Sequence, residues 1–130
     1  SVPAVKDLPL ETGFSDWLVD VRSDEERSVS ILPGAMSVEA FDVRIQTETP
    51  SQIVAYCTIG LRSGQWVDKA RGRGLPALNL TGGILGWTHI GGVLHEPNRV
   101  RGKRRNHQTR RVHVESQYWN IGAHGYEPVW

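Results

Sequence analysis

The stretch Ile53–Gly64, with the sequence IVAYCTIGLRSG, decides the fold of this chain of 130 residues. Its first part, Ile53–Cys57, is short and rich in branched and aromatic side chains, a pattern typical of a strand buried on both faces. A glycine-containing segment follows and leads into a predicted helix over Ser63–Gly72, whose apolar residues share one stripe. The stretch therefore predicts a strand, a loop and a helix, with Cys57 at the end of the strand.

Similar short apolar segments occur on both sides of this stretch. Three of them predict further strands: Trp17–Val21, Ala35–Val38 and Ala77–Leu80. Three helical segments lie between or after the strands: Asp24–Val29, Val38–Ile45 and the run Thr81–Trp87, which begins as a loop. Strands that alternate with helices in a chain of this length predict an α/β domain with a central parallel sheet. In such a sheet functional residues gather at the carboxyl ends of strands, where Cys57 and Asp20–Arg22 are placed.

The loop after the central strand has the composition of an anion cradle. Successive backbone N–H groups between a strand and a helix can point at one anion, and the helix N-terminus adds its positive dipole end. Gly60 can take a left-handed backbone conformation, and Arg62 carries a permanent positive charge. A free thiol with a pKa of ~8.5 is about 3% thiolate at pH 7, so a cradle that lowers the pKa activates it. We therefore predict that Cys57 is a nucleophile; the alternative is a small buried core residue.

Three segments resemble the rhodanese family. YCTIGLRSG resembles the active-site loop of that family, YCxxGxRS, and NLTGGILGW (Asn79–Trp87) resembles its closing motif. LVDVRSDEE followed by LPGA (Leu18–Glu26 and Leu32–Ala35) resembles its LIDVRxxxE…IPGA segment. The matches cover residues 16–94 in the order of the family. The resemblance implies a three-layer α/β domain, with a central parallel sheet flanked by helices, plus a short C-terminal extension.

The resemblance also implies roles for individual residues. Cys57 would carry sulfur as a persulfide, and Arg62 would assist it as the second catalytic residue. The rest of the loop would bind substrate: Thr58, Ile59, Gly60, Leu61 and Ser63. Asp20 and Arg22, which together with Glu26 match the D-x-R-x-x-x-E spacing of the family, would support the shape of the site. We expect no cofactor and no metal, because the five histidines lack metal-ligand spacing.

The length of the loop distinguishes the reactions known for this fold. The spacing here is C-x4-R, which resembles the sulfur-transferring members, whereas phosphatases and arsenate reductases use C-x5-R around a larger oxyanion. We therefore predict a thiosulfate sulfurtransferase that passes a sulfane sulfur from a thiosulfate-type donor to cyanide or a thiol through a Cys57 persulfide. Because the chain has one cysteine, the acceptor must come from outside. Thr58 and Ile59 stand where sulfurtransferases often carry basic residues, which leaves the donor open.

Two other classes of function stay open at this point. One is a rhodanese-like binding or sensing module without turnover, and the other, less favoured, is a phosphatase or arsenate reductase. If the protein is a binding or sensing module, the basic part of the chain would be the more important surface for its function. Residues 1–98 carry a net charge of −4, whereas residues 99–130 carry +5. This asymmetry makes the run Arg99–Arg111 a candidate surface for an acidic protein partner.

The polar segment Glu96–Arg111 has no apolar period and predicts an exposed loop. Val112 and Val114 then predict a short edge strand, and the aromatic segment Tyr118–Trp130 is expected to pack on the body. We accordingly divide the chain into a rhodanese-like domain, residues 1–96, and a basic loop with an extension, residues 97–130, which packs on the same domain.

The composition also bears on partners and compartment. Nucleic acid is disfavoured because aromatic residues do not interleave with the basic residues. A membrane span is disfavoured because no apolar run reaches about 18 residues. We expect a soluble protein of the cytoplasm or of an organelle.

Overall fold

The computed structural model describes residues 17–100, 103–114 and 125–129. Four strands form a parallel sheet in the order β2-β1-β3-β4. They are β1 (Trp17–Asp20), β2 (Met36–Ser37), β3 (Ile53–Tyr56) and β4 (Ala77–Asn79). Four helices alternate with them: α1 (Asp24–Val29), α2 (Val38–Arg44), α3 (Leu61–Gly72) and α4 (Gly83–His89). The predicted α/β class and the central parallel sheet are confirmed.

Helices cover both faces of the sheet and give the domain its three layers. One face of β3, with Ile53 and Ala55, packs in a core cluster with Phe41 of α2 and Val67 of α3. The other face, with Val54 and Tyr56, belongs to a second cluster, which includes residues of α4. Because both faces are covered, every residue of β1 and β3 is buried. This burial explains why these strands appear in the sequence as continuous apolar runs.

The boundaries of the elements differ from the predictions by one or two residues. β1, β3 and β4 each end one residue earlier than predicted, and α1 has the predicted bounds. α3 begins at Leu61, two residues before the predicted start, because Gly60 takes a φ of 117° and serves as its N-cap. Since only glycine adopts this conformation without strain, Gly60 allows the helix to begin next to the loop.

The segment Glu96–Arg111 is not the exposed loop that the sequence predicted. Its residues 96–100 and 103–109 belong to an antiparallel hairpin of β5 (Leu94–Val100) and β6 (Lys103–Thr109). Backbone hydrogen bonds between the two strands hold this hairpin, so an apolar period is not needed for it to form. At its base the backbone groups of Ile31 and His95 exchange hydrogen bonds of 2.8 and 2.9 Å, which attach the hairpin to the body.

The C-terminal extension adds a second small sheet. β7 (Arg111–His113) occupies the position of the predicted edge strand and pairs in parallel with β8 (Glu127–Val129). Val112 and Val114 are buried in the same core cluster as the sheet residue Val54. The remainder of the predicted segment Tyr118–Trp130 and residues 1–16 lie outside the described residues.

An ion pair joins α1 to α3. The Arg62 Nη1 and Nη2 groups donate to Glu26 Oε1 and Oε2 at 2.7 and 2.8 Å. Ser23 caps α1, and its backbone N–H also donates to Glu26. Burial by itself would raise the pKa of Glu26, but the hydrogen bonds from Arg62 and Ser23 outweigh it and lower the pKa to about 2. The Glu26 carboxylate therefore stabilises the packing of the two helices.

The first turn of α4 packs directly against the backbone of the loop after β3. The N–H groups of Ile84 and Leu85 donate to the carbonyls of Cys57 and Thr58 at 2.9 and 3.2 Å. Gly83, with a φ of 57°, permits this approach, because a Cβ there would lie 2.5 Å from the Cys57 carbonyl oxygen. The second glycine of the closing motif, Gly83, is thus explained by contact with the loop.

We predict that Glu26→Gln lowers the free energy of unfolding by about 2–3 kcal/mol at pH 7. The folded-state pKa of Glu26 lies below the unfolded value, so its stabilisation is present above pH 4.5 and is lost as the pH falls toward 2. Urea unfolding at pH 7, 4 and 3 should show that the difference in unfolding free energy between wild type and variant becomes smaller as the pH falls. Glu25→Gln, at an exposed position on the same helix, is the matched control. A difference that stays constant with pH would contradict the assignment.

We also predict that Gly83→Ala destabilises the protein by about 2–4 kcal/mol, since the new Cβ meets backbone atoms of the loop at a positive φ. Gly72→Ala is the control, because a Cβ at Gly72 meets nothing within 4 Å. Chemical denaturation should show a large loss for the first variant and no loss for the second. Equal stabilities would mean that the loop yields to the methyl group at no cost.

Candidate active site

Cys57 lies directly after β3, at the carboxyl edge of the sheet, and is 1% exposed. The backbone N–H of Gly60 donates to its Sγ at 3.1 Å, and the Ser63 hydroxyl lies 3.3 Å from the same sulfur. The sulfur thus sits inside the turn that begins α3. A helix of 12 residues starts at this point, so its positive dipole end faces the sulfur.

The orientation of this turn follows from its contacts with α4. The carbonyls of Cys57 and Thr58 point toward α4 and accept its first N–H groups, whereas the N–H groups on the side of the sulfur are those of Ile59, Gly60 and Ser63. Burial alone would raise the pKa of Cys57. Hydrogen bonds from the Ser63 side chain and from the backbone N–H groups of Ser63, Gly60 and Ile59 outweigh that effect and hold the pKa below its usual value. This arrangement favours the thiolate form of Cys57 over the thiol.

The predicted Arg62 lies in the first turn of α3, with its guanidinium against Glu26. Besides the two bonds to that carboxylate, Arg62 Nη2 donates to Thr58 Oγ1 at 2.9 Å. His113 Nδ1, from β7, lies 3.9 Å from Glu26 Oε2. The charge of Arg62 is therefore balanced by a carboxylate, and Arg62 connects the loop to α1. The sequence analysis did not foresee this pairing, because Glu26 and Arg62 are 36 positions apart.

The other predicted substrate-binding residues occupy different environments. Thr58 and Ser63 are buried, Ile59 packs partly against the core, and Leu61 is 70% exposed. Gly60 lines a surface groove of about 380 Å³ together with Leu61, Gly64 and Asn79. The structure thus brings these residues around one loop, with Leu61 at its outer surface.

The predicted supporting residues Asp20 and Arg22 form a buried network at the end of β1. Arg22 donates to both carboxylate oxygens of Asp20, through Nε at 3.0 Å and Nη2 at 2.8 Å, and to the carbonyl of Ser30 at 2.6 Å. The Tyr56 hydroxyl donates to Asp20 Oδ2 at 2.6 Å and accepts from the Leu32 N–H at 3.0 Å. Since Tyr56 precedes Cys57, this network braces the strand that carries the thiol.

Asn79 is a residue of the site that the sequence analysis did not single out. Its Oδ1 lies 2.6 Å from the Ser63 hydroxyl, and its Nδ2 donates to the Gly60 carbonyl at 3.0 Å. A signal for it was present: Asn79 ends β4, which neighbours β3 in the sheet. Parallel strands bring their carboxyl ends to one edge, so a polar residue at the end of β4 belonged among the candidates.

Two negative findings apply to the described part of the chain. Within residues 17–100, 103–114 and 125–129, no three His, Cys, Asp or Glu side chains are grouped in a way that could hold a metal ion. None of the helices there has the length and apolar character needed to cross a membrane.

Comparison with known proteins agrees with this architecture. A model of the rhodanese-like domain family matches residues 3–90. The chain is 29% identical over 90 residues to the "Putative sulfurtransferase YtwF" of Bacillus subtilis, a match that covers 67% of this chain and 86% of the other.

Two solved structures have the same fold. A rhodanese-like domain protein from Staphylococcus aureus superposes with a TM-score of 0.55 at 23% identity, over 67% of this chain and 90% of the other. A rhodanese-related protein from Thermoplasma volcanium gives a TM-score of 0.58 at 21% identity, over 72% and 95% of the two chains. The parallel sheet, the loop between β3 and α3 and the match over residues 3–90 lead to one conclusion: this chain belongs to the rhodanese-like domain family.

Proposed function

We propose that this protein is a sulfurtransferase that carries a sulfane sulfur on Cys57 as a persulfide. The observation that carries the proposal is the position of the Cys57 sulfur, which accepts the Gly60 N–H at the N-terminus of α3. This position lowers the pKa of the thiol and provides N–H groups for an anion. The similarity to a protein named as a sulfurtransferase supports the same reaction.

The reaction has two halves. The Cys57 thiolate attacks the outer sulfur of a thiosulfate-type donor, the S–S bond of the donor breaks, and sulfite leaves with the bonding electron pair. The persulfide anion Cys57–S–S⁻ remains in the loop. Cyanide or an external thiolate then attacks the outer sulfur and departs as thiocyanate or as a new persulfide, which returns Cys57 to the thiolate. The acceptor is external because the chain has one cysteine.

Features of the loop weigh against the two rival functions. The C-x4-R spacing, with Arg62 turned to Glu26, leaves a smaller cradle than the C-x5-R loop of oxyanion enzymes of this fold. A binding module without turnover has no need of a thiol whose pKa is lowered, whereas Cys57 has this property.

Because Arg62 is paired with Glu26, we expect the backbone N–H groups of the loop to contribute more to stabilisation of the persulfide than the charge of Arg62 does.

The first prediction of this proposal concerns mass. Incubation with thiosulfate should add one sulfur atom to the intact protein, and subsequent cyanide should remove it, because a persulfide is attacked at its outer sulfur. Intact-protein mass spectrometry measures both changes. Cys57→Ser is the matched control and should show neither change.

Two results would contradict the proposal. A wild-type protein that gains no sulfur from thiosulfate or from other sulfane donors would favour the binding module. Hydrolysis of an aryl phosphate that depends on Cys57 would favour the oxyanion enzymes.

We also propose that the hairpin β5–β6 contacts an acidic protein that serves as the thiol acceptor. Five basic residues and no acidic ones occur between positions 98 and 105. The strand register places Arg99 opposite Arg104 and Val100 opposite Lys103. The hairpin therefore carries basic residues at opposite positions of its two strands, and a carboxylate-rich partner would be complementary to it in charge. β5 also contacts α1, the helix that connects to the loop through Glu26.

We predict that the double variant Arg99→Ser, Arg104→Ser slows persulfide transfer to a reduced acidic dithiol protein about tenfold at low salt. Transfer to the small thiol dithiothreitol should stay unchanged, because the loop is intact. The matched control removes two exposed charges at the C-terminal end of α3, one in its last turn and one at its C-cap, with Lys69→Ser and Arg73→Ser, and should leave both rates unchanged. Stopped-flow measurement of the two acceptors makes the comparison.

Equal rates for wild type and the hairpin variant with the protein acceptor would refute the acidic-protein surface. If the same variant instead lost affinity for an RNA oligonucleotide, the hairpin would be assigned to nucleic acid.

A further inference from the structure

The Ser63 hydroxyl has three acceptors within reach and one proton to donate. Its oxygen lies 2.6 Å from Asn79 Oδ1, 3.3 Å from Cys57 Sγ and 3.3 Å from the Gly60 carbonyl oxygen. A hydroxyl donates one hydrogen bond and accepts through two lone pairs. The three contacts therefore cannot all be donated by Ser63 at the same time.

The Gly60 carbonyl decides which way the Asn79 amide points. A carbonyl oxygen only accepts, so the atom of Asn79 that lies 3.0 Å from it must be the NH₂ group. The amide oxygen of Asn79 then faces Ser63. Because this oxygen also only accepts, and because 2.6 Å is a short O–O distance, the proton of the Ser63 hydroxyl lies between Ser63 and Asn79.

This position of the Ser63 proton suits the thiol form of Cys57 better than the thiolate form. With its proton directed to Asn79, the Ser63 oxygen presents a lone pair to the sulfur and accepts the S–H of a thiol. A thiolate has no proton and needs donors instead. Both Ser63 and Cys57 are buried, at 0% and 1% exposure, so a lone pair directed at a buried anion would be costly.

We propose that Asn79 is a positioning residue for the nucleophile: it holds the proton of the Ser63 hydroxyl while Cys57 is a thiol, and the hydroxyl rotates to the sulfur when Cys57 becomes a thiolate. The rotation breaks no covalent bond of Ser63, and the thiol proton leaves to solvent. This inference builds on the proposed sulfur transfer. In the persulfide the negative charge lies on the outer sulfur, and the Ser63 proton returns to Asn79.

Two sets of charged groups flank the loop, and substitutions of Asn79 leave both in place, together with Asp68 and Arg71 of α3, which line the groove beside Asn79. Glu26 from α1 pairs with Arg62 from α3 and has His113 of β7 3.9 Å away. At the end of β1, Asp20 pairs with Arg22. Arg27 of α1 lies 3.8 Å from Asp20, and the Tyr56 hydroxyl of β3 donates to it. These groups therefore affect the pKa of Cys57 equally in wild type and in an Asn79 variant, and their effect cancels when the two pKa values are compared.

A purely structural role for Asn79 makes the opposite prediction. If Asn79 only anchored the Gly60 carbonyl, its removal would loosen the turn and weaken the N–H bonds to the sulfur, so the pKa of Cys57 would rise. If Asn79 competes with the sulfur for the Ser63 proton, its removal frees that proton for the thiolate, and the pKa falls. The sign of the change separates the two roles.

The test is the rate of iodoacetamide alkylation of Cys57 across pH, measured without any sulfur donor. Asn79→Ala and Asn79→Leu should each lower the midpoint by about one pKa unit, a tenfold rise in the thiolate-to-thiol ratio. Ser63→Ala should raise the midpoint. Adding Asn79→Ala to Ser63→Ala should then produce no fall, because the competing proton is gone. The leucine variant keeps the approximate volume of Asn79 in case alanine prevents folding, and circular dichroism verifies the fold of each variant.

A midpoint that rises or stays unchanged in the Asn79 variants would overturn the proposal, as would a fall that persists in the Ser63→Ala background. This test is independent of the proposed function, because alkylation needs no sulfur donor. A protein that forms no persulfide with thiosulfate would refute the sulfur transfer and still give the alkylation result.

Discussion

The site depends on the hydrogen bonds between the first turn of α4 and the carbonyls of Cys57 and Thr58. These bonds hold the carbonyls of Cys57 and Thr58 on the side of α4, while the N–H groups of Ile59, Gly60 and Ser63 donate to the sulfur. They form only because Gly83 has no Cβ at the point where α4 meets the loop. The lowered pKa of Cys57 comes from hydrogen bonds of the Ser63 hydroxyl and of these N–H groups. The packing of α4, which begins 26 positions after Cys57, holds the backbone of the loop that carries them.

Two polar networks hold the loop from other sides; the first is buried, and in the second the Arg62 side chain is 37% exposed. Asp20, Arg22 and Tyr56 tie the ends of β1 and β3 together. Glu26 and Arg62 tie α1 to the start of α3. Buried charges of this kind are costly unless paired, and here each carboxylate meets a guanidinium. Their pairing supports the loop on two sides, so that the N–H donors around the Cys57 sulfur keep their geometry.

Much of the fold could be predicted because its information is local. The apolar runs of β1 and β3 reflect burial on both faces, and the strand–loop–helix order around Cys57 follows from the positions of its glycines and apolar residues. The hairpin β5–β6 was predicted as a loop because its strands are held by backbone bonds, and such bonds leave no apolar period in a polar, basic segment. The site was predictable where it is contiguous, from Cys57 to Ser63. It was not predictable where it depends on distant partners, as with Asn79 and the pairing of Arg62.

The sequence by itself determined the α/β class, the loop between β3 and α3, and the place of Cys57 in that loop, because each depends on neighbours within a few positions along the chain. The tertiary structure decided how the charges and protons are shared. Arg62 faces Glu26, and the Ser63 hydroxyl faces Asn79 as well as Cys57. Such choices depend on distances between atoms whose residues lie far apart in sequence, and the folded arrangement of the sheet and helices sets those distances.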